Sequence, residues 1–138
     1  MPKMPTWKPP KNIAKALEDG DGFWEDERWS PIILTAMSGT EFEGREIPIA
    51  WQVEFDPSDD DFEAANAKIG ELEIEPDGCG WGEYIEKAIR EANPGLASRL
   101  HTTDCEAGTC VIWVESADDC RALLEAVWKL IFEERALE

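Results

Sequence analysis

Between Ile47 and Phe55, apolar side chains at Ile47, Ile49, Trp51, Val53 and Phe55 alternate with Pro48, Ala50, Gln52 and Glu54. Successive strand residues point to opposite faces, so this alternation calls for a sheet with one buried face. Pro48 cannot donate to a ladder, which places it near the strand's start or on a sheet edge. A second strand is expected over Ile32-Ile33-Leu34-Thr35-Ala36-Met37, an apolar run after Pro31. Ser38-Gly39-Thr40 and Gly44 mark the turn between the two.

The apolar spacing then changes to that of helices. Ser58, followed by Asp61 three residues later, reads as an N-cap for a short helix carrying Phe62, Ala65 and Ile69. Gly78-Cys79-Gly80 opens a longer one, with Trp81, Tyr84, Ile85, Ala88, Ile89 and Ala92 on one face. Glu83–Lys87 and Glu86–Arg90 stand as i,i+4 pairs on the other. Asn93-Pro94 breaks that helix and starts a short one through Leu100. Two strands are expected around Glu106-Ala107-Gly108, the second being Cys110-Val111-Ile112-Trp113-Val114. Ser116 and Asp119 cap a last helix striped by Cys120, Leu123, Leu124, Val127, Leu130 and Ile131. The order ββ-α-α-ββ-α predicts an α+β fold, an antiparallel sheet of about four strands with helices packed on one face. Residues 1–17, rich in Pro and Lys, read as a poorly ordered lead-in to a single domain over 18–138.

Charge is the second constraint. The chain has 138 residues with 31 Asp and Glu against 13 Lys and Arg, a net charge of −18. Residues 1–17 hold four Lys and no acid, whereas residues 18–77 hold nineteen acids against Arg28, Arg45 and Lys68. Such a balance repels nucleic-acid phosphates and anionic membranes and draws in a basic macromolecule. The alternative is an acidic surface that only solubilises. Hydrophobic content of 43% is too high for a disordered acidic tail. No apolar run approaches the ~20 residues of a membrane span, and the Pro- and Lys-rich start lacks the apolar stretch of a signal peptide. The expected location is cytoplasmic, as a monomer or weak homodimer.

Motifs for catalysis are sparse. Cys79, Cys105, Cys110 and Cys120 show no C-x-x-C pair and no zinc spacing with His101, the one histidine. They are expected as thiols, with Cys105 and Cys110 able to face each other across a hairpin. His101 and Cys105 stand four apart, but a nucleophile–base pair also needs an orienting third group, and a structural histidine is the competing reading. Gly78-x-Gly80 lacks the third Gly and the Lys of a phosphate loop. Asp19-Gly20-Asp21-Gly22 resembles the middle of an EF-hand. With Gly22 at the sixth position, however, Leu17 and Arg28 fall where oxygen ligands are required. No cofactor, metal or catalytic residue is therefore assigned.

The candidate site is a surface for a partner. Asp59, Asp60, Asp61 and Glu63 concentrate charge, though first-turn carboxylates also suit a helix dipole. Trp24, set among Glu25, Asp26 and Glu27, reads as an exposed aromatic anchor; Asp59, Asp60, Asp61, Glu63, Trp24, Glu25 and Asp26 form the expected contact set.

Several C-terminal segments carry a family resemblance. Gly78-Cys79-Gly80-Trp81-Gly82-Glu83-Tyr84-Ile85, Asn93-Pro94-Gly95-Leu96, Asp104-Cys105-Glu106-Ala107-Gly108 and the Leu123–Ile131 helix together resemble immunity protein family 51 of bacterial polymorphic-toxin systems. The similarity covers roughly sixty residues and leaves the acidic N-terminal half outside it. It implies a small cytoplasmic protein that binds a cognate toxin domain and blocks it by occupation, without catalysis. The charge implies that the toxin is basic, nucleases being one such class. The alternatives are a small Ca-binding or enzymatic α+β domain, or a nucleic-acid mimic that inhibits basic proteins indiscriminately.

Overall fold

The structure, a computed structural model, describes residues 3–102 and 105–132. Four antiparallel strands lie in the order β1 (Phe23–Asp26), β2 (Ile33–Phe42), β3 (Arg45–Phe55) and β4 (Cys110–Val114). With the helices this makes an α+β fold, as the spacing predicted. β2 and β3 are joined by Glu43 and Gly44 at φ 51° and 78°. A two-residue turn with both centres left-handed matches the twist of the strands it joins. The Ser38–Thr40 stretch, expected to turn, instead continues β2. Gly39 sits there at φ 72° opposite Pro48, and the ladder passes from Ser38↔Ile49 to Thr40↔Ile47 across them.

One sheet face is fully covered. Leu34, Ala36, Trp51, Val53, Phe55, Ile112 and Val114 join a core with residues from α1 (Ile13–Asp19), α2 (Glu63–Glu71), α3 (Gly78–Ala92), α4 (Pro94–Ala97) and α5 (Ala117–Phe132). Ile47 leaves the alternation and packs with Ala50, Trp113 and Phe42 in a separate small cluster. Ala50 and Trp113 alternate with core-facing Trp51 and Ile112, so this cluster lies on the opposite face.

The packed domain begins before residue 18. Leu17 on α1 is buried, and Met4, Trp7 and Ile13 pack against the core, with the Trp7 ring 5.8 Å from that of Trp51. The stretch read as a lead-in thus contributes a helix, capped where Asn12 Oδ1 accepts from Lys15 N.

The longer helices follow their caps and stripes. Asp77 caps α3 by accepting from Gly80 N at 2.8 Å. Asn93 ends α3 and caps α4, accepting from Leu96 N at 3.1 Å. Ser116 Oγ accepts from Asp119 N at the start of α5, whose expected stripe is buried together with Trp128. Ala92 departs from the α3 stripe and is exposed in the last turn. Ser58 is not the expected N-cap: its hydroxyl and its N–H both donate to Asp56 Oδ1, and Asp59 begins a 3-10 turn over Asp60–Phe62 without a side-chain cap. The strand expected before Glu106 falls partly on residues outside those described. His101↔Trp113 and Glu106↔Thr109 form isolated bridges there.

Trp81 is fully buried at the centre of an aromatic group. It lies edge-on to Phe55 and Phe62, which stack on each other at 4.8 Å. Its indole Nε1 donates to Asn66 Oδ1 at 2.7 Å, and Asn66 Nδ2 donates to Pro57 O at 2.7 Å.

Gly78 is where α3 meets the Glu106–Thr109 turn, and its N–H donates to Ala107 O at 2.9 Å. A Cβ there would lie 1.9 Å from Glu106 O and 2.3 Å from Thr109 O, both backbone atoms. Gly78→Ala should therefore cost about 2 kcal/mol or more in thermal or urea unfolding. Gly95→Ala, whose nearest neighbour is the flexible end of Arg99 at 3.5 Å, should stay within about 0.5 kcal/mol.

Candidate functional site

The helices all cover one side of the sheet, and the other side divides into two halves. Cross-strand pairing places Glu25, Thr35, Gln52 and Trp113 in one row on that outer face. Phe23, Met37 and Ala50 form the row on one side, and Ile33, Glu54 and Val111 the row on the other. Toward β4 the face is closed: the His101 ring stacks on Trp113 at 3.8 Å, and Phe42 meets both rings edge-on. Toward β1 it is open, leaving Phe23 48% and Ile33 40% exposed.

Carboxylates gather on the open half. Glu25, Glu27, Ser30, Ile32 and Ile33 line a groove of about 320 Å³. Burial raises the Glu25 carboxyl above its ordinary range, and a hydrogen bond with Glu27 and the charges of Glu27 and Glu54 push it further the same way. Arg28, the guanidinium next in sequence, is committed to Asp26, with Nη2 2.6 Å from Oδ2 and Nε 3.0 Å from Oδ1.

The seven residues expected to meet a partner are thus dispersed. Glu25 faces outward on the open half. Asp26 is buried and neutralised by Arg28, so it presents no charge. Trp24 is half-buried on the helical side, edge-on to Trp51 at 6.1 Å, and is not the exposed anchor expected. Asp59, Asp60, Asp61 and Glu63 are exposed at the end of β3 and the start of α2. They follow β3, which β2 separates from β1 in the sheet, so they do not adjoin Glu25 along the ladder. Phe23 and Ile33, the exposed apolar residues of this face, do not stand out in the sequence, because β1 is only four residues long and Ile33 sits in an unbroken apolar run. Neither shows a period in the sequence.

A second concavity, about 670 Å³, is lined by Arg45, Ser98, Arg99, His101, Glu115, Ser116, Asp118 and Asp119. Its charged groups are largely matched inside the chain. Arg45 donates both terminal nitrogens to Glu115 at 3.1 Å, and His101 Nε2 lies 2.9 Å from Glu115 Oε2. Arg99 holds Asp119 at 2.7 and 3.0 Å. The Arg45 hydrogen bonds, with help from His101, hold Glu115 below its ordinary range, and those of Arg99 do the same for Asp119. Ser98 Oγ donates to Gly95 O, and Ser116 Oγ is the α5 cap. Neither serine is joined to His101 as a nucleophile to a base. The His101–Cys105 pair is not made either, because Cys105 Sγ donates to Val111 O.

All four cysteines are thiols. Cys79 is exposed and donates to Cys105 O at 3.1 Å, while Cys110 and Cys120 are buried. A hydrogen bond with Cys105, together with burial, pushes the Cys110 thiol far up, and burial does the same for Cys120. Among the described residues no group of three or more His, Cys, Asp or Glu side chains is disposed to hold a metal ion. The Asp19–Gly22 segment is a turn from α1 into β1, with Gly22 N donating to Leu17 O. Comparison with sequence families, curated proteins and solved structures finds no match.

Two measurements check this description. A thiol reagent applied to the native chain should label Cys79 first, Cys105 slowly, and Cys110 and Cys120 only on unfolding. Asp26→Asn should cost about 1–2 kcal/mol at neutral pH through its lost charge-assisted bonds. Burial raises this carboxyl, but the hydrogen bonds and charge of Arg28 lower it further, to a net position below the ordinary 3.8. Its contribution is therefore complete above 3.8 and fades as pH falls through the lowered value, so the Asn penalty should shrink in acid.

Proposed function

We propose that the chain is an immunity protein: a cytoplasmic inhibitor that binds a cognate, basic bacterial toxin domain and blocks it by stoichiometric occlusion. The observation that carries this reading is the disposition of charge. Of the nineteen carboxylates between residues 18 and 77, Asp26 alone is buried, so the negative charge of this half stays at the surface. A field of that sign raises the encounter rate with a basic protein, while apolar residues left uncovered supply affinity once contact is made. The resemblance of the Gly78–Ile131 segments to immunity protein family 51 supports the same reading. No helix among the described residues is long and apolar enough to cross a membrane.

The test is direct. The chain should be mixed with the protein encoded beside its gene and with unrelated basic nucleases. A tight one-to-one complex with the neighbour alone is expected. Raising ionic strength from about 0.05 M to 0.5 M should cut its association rate by an order of magnitude or more. A rate indifferent to salt would reduce the acidic surface to a solubilising role. Equal capture of every basic nuclease would identify a mimic instead.

A further inference from the structure

We propose that the open half of the outer sheet face, centred on Thr35 and bounded by Phe23, Glu25, Glu27, Ile33 and Glu54, is the docking surface for a basic protein. Lys or Arg side chains of the partner lie between the carboxylates, and its apolar residues cover Phe23 and Ile33. This rests on the reading of the chain as a binder of a basic protein, and it adds the place and the chemistry of contact.

Three independent features meet at this surface. The first is uncovered apolar area. Phe23 and Ile33 are two of the three large apolar side chains exposed among the described residues, and both stand on the side of the sheet that no helix covers. The second is unrelieved charge. Glu25 lies near enough to Glu27 and Glu54 for their charges to raise its carboxyl, while Arg28 is already bound by Asp26. No ion pair within 4 Å reaches these three glutamates among the described residues.

The third feature is an unmet polar group. Thr35 is only 4% exposed, and its Oγ1 has no hydrogen-bond partner among the described residues. Its cross-strand neighbours on this face are Glu25 and Gln52, and the Gln52 amide donates to Glu54 instead, at 3.3 Å. A buried hydroxyl left without a partner is costly, and native structures seldom leave one so. A cationic side chain entering from the groove draws Glu25 aside and gives Oγ1 a partner in the same movement. A second copy of this chain is a poor occupant, because it would set each glutamate against its equals at a net charge of −18 per copy.

The experiment titrates the isotope-labelled full chain, at low ionic strength, with two synthetic probes of about ten residues, one alternating Lys and Leu, the other Lys and Ser. The Lys-Leu peptide should bind about tenfold tighter, because only it can cover Phe23 and Ile33. Amide signals of residues 23–27, 33–35 and 52–54 should move most. The exposed double variant F23S/I33S should erase the preference between the peptides. E25Q/E27Q/E54Q should weaken both peptides about fivefold or more, and D59N/D60N/E63Q less than about twofold. If both peptides bind alike, or the shifts centre on residues 59–63, the surface is elsewhere and the binder of basic proteins stands. If neither peptide binds at low salt, both readings are overturned. Should F23S/I33S unfold, the shift map of the unaltered chain decides the case alone.

Discussion

The domain is organised by how one buried indole is satisfied. Trp81 brings the largest aromatic surface of α3 into the core, and its N–H, unlike those of the buried Trp29 and Trp128, finds an acceptor among the described residues. Asn66 supplies the acceptor from α2, and Pro57 O at the end of β3 holds the Asn66 amide in turn. This relay ties sheet, short helix and long helix together at one point. α2 buries only Ala65 and Ile69, so its position owes much to the polar link. The acidic turn over Asp59–Asp61 lies between the two anchors of the relay, and that gives its residues a fixed place in the fold whatever they touch outside it.

The placement of the helices determines what the chain can offer a partner. A four-stranded sheet has two faces, and five helices of very different lengths all cover the same one. Among the described residues the opposite face is covered by Phe42 and His101, brought over Trp113 from a hairpin and a loop. Apolar residues and carboxylates therefore coexist on the remaining area. On the helices acids occupy the surfaces and turns and the apolar stripes face inward, Leu72 between Glu71 and Glu73 excepted.

Much of this architecture was legible in the sequence, and the parts that were not share a cause. Strong periods gave the β3 strand and the stripes of α3 and α5, because burial on one face leaves a repeating mark. Short or mixed elements leave none. β1 has four residues, α1 follows a Pro-rich stretch, and the Glu106–Thr109 bridge is a single pairing. Gly39 misled for a different reason: a glycine at positive φ signals a turn in most chains, but here it relieves a long strand opposite Pro48. Trp24 was placed outside because its neighbours in sequence are acidic, whereas its neighbours in space are Trp51 and the core. The outer face could not be read at all. It exists only through the registers of three strands, and only one of those strands was strongly periodic.

The β2–β3 hairpin outruns the sheet, and this has a dynamic meaning. β1 pairs with β2 only as far as Met37, and β4 pairs with β3 only from Trp51 onward. Ser38 N still donates to Gly22 O, and beyond it residues 39–50 form a two-stranded ribbon with no further strand on either flank among the described residues. Such ribbons are marginal in water unless something holds them. Here the restraint is lateral, through Phe42 and Ile47 against Trp113 and through Arg45 on Glu115. Its local opening should therefore depend on that side clasp more than does opening of residues 34–37 and 51–55, whose strands are paired on both sides.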